Sequence, residues 1–144
     1  MPVRLYRSLA QYFYQQGDFE SALFLIFCWN LGCRTNNTAD LKVAHISWVE
    51  DALKIEFGIT KTNQEGDRDE WRLIFANLIC PVVSLAIYLS SISHPYSPKD
   101  RLFLGGDPCD RFQKALQKVL QSEFLRELLI ELGLKHTDIG AHSI

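Results

Sequence analysis

Leu5, Leu9 and Phe13 recur about one helical turn apart in the opening stretch VRLYRSLAQYFYQQGD, with charged and amide residues between them. The spacing predicts a short amphipathic helix that stops near Gly17. Asp18 is placed to cap the next run, FESALFLIFCWNLGC, which is apolar almost all round and so predicts a helix buried on several sides. The cluster RTNNTAD that follows is rich in turn and capping residues and can open a further short helix.

The period then changes. In ALKIEFGIT the residues Leu53, Ile55, Phe57 and Ile59 alternate with Lys54, Glu56, Gly58 and Thr60, the two-residue repeat of a half-buried strand. ISWVEDALKI predicts two short strands joined at Glu50 and Asp51, and the polar loop KTNQEGDRDE leads to a third strand in WRLIFA. Pro81 suits the first position of a core helix in CPVVSLAIYLSSI, SHPYSPKD is a loop, and RLFLGG is a short extended piece ending in a turn. From Phe112 the apolar spacing is helical, slips near residues 121–124 and resumes at Leu125, predicting one kinked helix or two, with Gly133 as the stop. The expected class is α+β, mainly helical, with a three-stranded antiparallel sheet between helices. The expected organisation is an N-terminal helix in residues 1–17 and a main body in residues 18–144.

Composition narrows the functional classes. The 144 residues are 47% hydrophobic and 22% charged, as in a globular protein. A formal charge of -2 gives no global attraction to polyanions but leaves room for a local basic site. The apolar run Ala22 to Leu31 is interrupted by Asn30 and is about half the length a bilayer requires, so no membrane partner is expected. The four cysteines lack the close pairing of a disulfide framework or zinc ribbon, and no signal peptide is legible, so reduced thiols in cytoplasm or nucleus are expected. Cys28 and Cys33, five apart on an apolar helix, are not expected to face the same way.

Three polar residues stand out. Arg34 follows the buried helix directly and is suited to a bidentate grip on a phosphate; alternatively it caps that helix's carbonyls or pairs with Asp40. Lys61 falls in register with the inward row counted by twos from Leu53, unless strand regularity ends at Gly58 and it is a loop charge. His142 sits in GAHS, a turn entering a helix. The acidic loop between Thr62 and Glu70 lacks the spacing of a calcium loop, and His45, His94 and His136 read as surface or packing residues.

The stretches LGCRTNNTADLKVAHISW, ALKIEFGITKTNQEGDRDEWRLIFAN, LICPVVSLAIYL, RLFLGG and DIGAHSI together resemble the catalytic domain of tyrosine recombinases, the phage integrase-like family, in its crypton-type eukaryotic branch. The resemblance covers roughly Phe19 to Ile144. Arg34 matches the family's first catalytic arginine, Lys61 its hairpin lysine, and His142 the first member of its His-x-x-Arg box. Leu41 matches the apolar anchor after the arginine, whereas Asn37 stands where the family has an acidic residue.

The resemblance implies DNA strand cleavage and rejoining through a phosphotyrosine link, with no metal or nucleotide cofactor. Arg34 and His142 would offer preorganised donors to the phosphate, and Lys61 would protonate the leaving 5'-oxygen. It also implies that these residues are a partial catalytic domain cut inside the His-x-x-Arg box. No second arginine and no tyrosine follow His142, so duplex DNA is the expected partner and cleavage is not expected. Self-association through uncovered apolar faces is a further expectation. The alternative is a domesticated, catalytically inert recombinase fold that serves as a protein- or DNA-interaction module.

Overall fold

A computed structural model of the chain describes residues 1–57, 70–74 and 79–144. Among these residues six α-helices and three strands run in the order α1 (Val3–Gln15), α2 (Phe19–Leu31), α3 (Thr35–Ala39), β1 (Ile46–Val49), β2 (Ala52–Phe57), β3 (Glu70–Ile74), α4 (Pro81–Ser91), α5 (Pro108–Leu120) and α6 (Glu123–Glu131). Single turns of 3-10 helix occupy Val43–His45, His136–Asp138 and Ala141–Ser143. The chain is thus α+β and mainly helical, with a three-stranded antiparallel sheet in the order β1-β2-β3.

The helix boundaries follow from local chemistry. Gly17, at φ 69, ends α1, and the Asp18 carboxylate accepts from the Ser21 N–H at 3.0 Å to start α2. Among the described residues α2 is the center of the structure: Ala22 through Cys28 are all buried, and α1, α3, α4 and α5 pack around it. Phe24 lies 5.1 Å from Phe103 and 4.7 Å from Phe112, ring centroid to centroid, which joins α2 to the extended residues after Arg101 and to α5. Tyr6 stacks on Trp29 at 4.6 Å and fixes α1 against the far end of α2.

In the sheet, β1 and β2 meet at the turn expected at Glu50 and Asp51, with Glu50 at φ 55. Leu53, Ile55 and Phe57 are buried and Glu56 is exposed, as the alternation predicts. Cross-strand partners share a face, so Ile74, Arg72 and Ile46 join the inward row while Lys54, Glu56 and Trp71 face outward. The third strand starts one residue earlier than the pattern indicated, at Glu70.

Residues 112–132, open between one kinked helix and two, are two helices. Asp107 caps α5 five residues before Phe112 by accepting from the Cys109 N–H at 2.9 Å, and α6 begins after Ser122. The extended piece at RLFLGG contributes one antiparallel bridge, Lys42 to Arg101, and buries Leu102 and Phe103. No helix among the described residues is long and apolar enough to cross a membrane.

Candidate functional site

Arg34 stands at the corner between α2 and α3. Gly32, left-handed at φ 54, ends α2 by donating its N–H to the Cys28 carbonyl at 3.0 Å. The chain then reverses, and Arg34 supplies the first carbonyl of α3, accepting from Asn37 N at 2.9 Å and Thr38 N at 3.3 Å. Thr35 beside it is buried and Thr38 is fully buried, so the backbone under Arg34 is anchored while its side chain is exposed.

Neither local task foreseen for this arginine falls to it. The α2 carbonyls are met by Arg72, which reaches from β3 to donate to Leu31 O and, at 3.5 Å, to Gly32 O. Asp40 pairs with Arg101, Nη2 to Oδ1 at 3.2 Å. Among the described residues the Arg34 guanidinium makes no hydrogen bond or ion pair. Leu41, the apolar anchor after it, is 1% exposed and its carbonyl accepts from Leu102 N at 2.8 Å.

His142 is exposed in the last 3-10 turn. That turn is tied to α5 by two amide side chains. Gln113 Oε1 accepts from Ala141 N at 2.8 Å, and Gln117 Nε2 donates to Ile139 O at 2.9 Å. One turn earlier on the same helix, Cys109 Sγ donates to Asn36 Oδ1 at 3.3 Å, two residues past Arg34. The first turns of α5 therefore brace both the segment carrying Arg34 and the segment carrying His142. Lys61 lies outside the described residues.

The thiols correct one expectation. Cys28 and Cys33 do converge: Cys28 Sγ donates to Thr38 Oγ1 at 3.3 Å, and Cys33 Sγ lies 3.2 Å from the same oxygen. The helical wheel misled because Cys33 is past the left-handed stop and folds back over the last turn of α2. Burial pushes the Cys28 thiol up to about 12, opposed by the Thr38 hydroxyl, and raises Cys33 and Cys109 as well. Among the described residues no group of three His, Cys, Asp or Glu side chains is placed to hold a metal ion. His94 and His136 are exposed, and His45 accepts at Nδ1 from Lys42 N at 3.2 Å, a packing role.

Arg72 is the residue that periodicity missed as part of this corner. Its strand register, opposite Ile55 on the inward face, was the available signal. Arg72 stays exposed on that row, and its guanidinium meets the orphan carbonyls at the end of a buried helix.

Comparison with protein-family models, with curated proteins and with solved structures gave no match.

Proposed function

We propose that the chain is the phosphate-gripping part of a tyrosine-recombinase-like catalytic domain and that it binds duplex DNA through Arg34, Lys61 and His142. The observation that carries this reading is the state of Arg34. Its backbone is anchored by buried neighbors, while the polar groups that would otherwise engage it are served by Arg72 and Arg101. A permanently charged fork on an anchored stem loses little further freedom on gripping a phosphate. His142 is exposed on a segment braced by the same helix.

The reading is one of binding. None of the five tyrosines follows His142, so no covalent step is assigned to these 144 residues.

The test is the salt dependence of binding to a labeled DNA duplex. The expected result is a log-log decline of affinity with salt, whose slope flattens by about 0.9 for each phosphate contact removed in Arg34→Ala or Lys61→Ala. Equal affinity and slope in wild type and both variants, or no binding at low salt, would overturn it.

A protein-interaction role is the second reading. It is favored by α6, where Ile130 is 72% exposed and Phe124 45%, and by an open groove of about 670 Å3 between α1 and α4 whose wall includes Ala10, Val83 and Ile87. The same surfaces would support self-association, for which sedimentation velocity over a range of concentrations is the direct measurement.

A further inference from the structure

Two sulfurs that touch a single hydroxyl can be no farther apart than the sum of the two contacts, and a left-handed helix stop brings the residue after it against the last helical turn. Cys28 and Cys33 meet this condition at Thr38 Oγ1, at 3.3 Å and 3.2 Å. The cause lies in the backbone: the left-handed Gly32 ends α2 and lays the next residue back over the last turn, the side-chain contact that commonly accompanies such a helix stop. All four cysteines are free thiols. The two differ in access, since Cys28 is 0% exposed whereas Cys33 is only partly buried.

We propose that Cys28 and Cys33 form a dithiol site that a low-molecular-weight disulfide of the glutathione class closes into an intrachain disulfide, loosening α3 from α2. The first step uses the accessible sulfur. The Cys33 thiolate attacks one sulfur of oxidized glutathione, the glutathione S–S bond breaks, and one glutathione leaves as a thiolate that takes up a proton. The Cys28 sulfur then attacks the Cys33 sulfur of the mixed disulfide, and its proton passes to the departing glutathione sulfur. The Cys28–Cys33 bond forms and the second glutathione leaves. Two protein thiols are oxidized and one glutathione disulfide is reduced to two thiols.

Electrostatics sets the pace of the two steps. Burial raises the Cys33 pKa, and both the Thr38 hydroxyl and the Arg72 guanidinium oppose the rise. Cys28, held higher by burial, is the slower partner. Once formed, the disulfide has no S–H to offer Thr38, a fully buried residue of α3. A buried hydroxyl that loses its donor weakens the attachment of the helix that carries it.

The experiment uses the wild-type chain incubated with oxidized glutathione, then alkylated, digested with trypsin and weighed. No Lys or Arg lies between Arg7 and Arg34, so both cysteines fall in one peptide, 8–34. The expected product is that peptide lighter by two hydrogens, resistant to alkylation and restored by dithiothreitol. In Cys33→Ser the Cys28 thiol should stay free and alkylatable after denaturation. Amide exchange over residues 35–39 should quicken about tenfold in the oxidized protein. A stable glutathione adduct on Cys33, or oxidation confined to Cys80 and Cys109, would overturn the site. Closure without faster exchange in α3 would overturn its coupling to the helix.

Discussion

Arg72, in the middle of β3, donates to the carbonyl of Leu31, the last residue of α2, and so pins the sheet to the corner from which Arg34 projects. A cation at a helix C-terminus satisfies orphan carbonyls and complements the negative end of the helix dipole. Because Arg72 carries that role, Arg34 is left with a fixed backbone and a head that engages no partner among the described residues.

Replacing Arg72 should therefore lower stability and disturb Arg34 together. Arg72→Ala is expected to lose about 1–2 kcal/mol, a modest figure because the side chain is partly in water. Arg72→Lys should recover part of it, since a single ammonium reaches one carbonyl less well than a guanidinium fork. Urea unfolding of the three proteins measures this directly. An Arg72→Ala midpoint equal to that of wild type would mean that the contact contributes nothing.

Phe24 offers a sharper test of the core. Its ring packs against Phe103 and Phe112 and is 1% exposed, so Phe24→Ala should cost about 3–5 kcal/mol by leaving a cavity that three separate elements line. Phe24→Leu keeps most of the volume and should cost less than half as much. Thermal or urea denaturation that ranks the two variants equally would show that the aromatic cluster is not the center of the fold.

What could be read from the chain beforehand divides along a physical line. Helix and strand identity was legible wherever a face is buried, because burial writes its period into the sequence: Leu5, Leu9 and Phe13 in α1 and Leu53, Ile55 and Phe57 in β2 are all core residues. The partner of a polar side chain was not, because it depends on tertiary approach. The contact between Arg72 and Leu31 spans 41 positions, and no local pattern marks it. The convergence of Cys28 and Cys33 was hidden for a different reason: one left-handed residue, Gly32, breaks the helical count between them. Of the site residues, Arg34 and His142 are exposed and share α5 as a brace. The DNA chemistry proposed for them rests on family resemblance and on a guanidinium that meets no partner among the described residues.

Stability should fall on the alkaline side. Tyr6, Tyr14, Tyr88 and Tyr96 all have hydroxyl pKa values raised by burial, Tyr6 to about 12 with Asn30 opposing the rise. A raised folded-state value means that the unfolded chain ionizes first. The contribution is intact below the ordinary value of about 10 and is lost as pH climbs from there through the folded values. Urea midpoints should hold steady up to about pH 9 and then decline, with a shallower decline in Tyr6→Phe. A flat profile to about pH 12 would contradict the assignment.

The attachment of the segment bearing His142 can be separated from the histidine itself. Gln113 and Gln117 hold Ala141 and Ile139 through one hydrogen bond each, at 2.8 and 2.9 Å, while Ile139 and Ala141 are buried. Removing both amides in a Gln113→Ala, Gln117→Ala double variant should cost about 1–3 kcal/mol and make the Ala141 amide exchange at a rate near that of free peptide. His142→Ala, by contrast, deletes an exposed side chain and should leave both stability and Ala141 exchange unchanged. If His142 contributes to phosphate binding as proposed, the two changes should weaken DNA binding to a similar extent for different reasons: one by removing the donor, the other by letting it wander. Binding reduced only in the histidine variant would show that the side chain acts without its brace. Binding reduced in neither would remove His142 from the site and leave Arg34 and Lys61 to carry it.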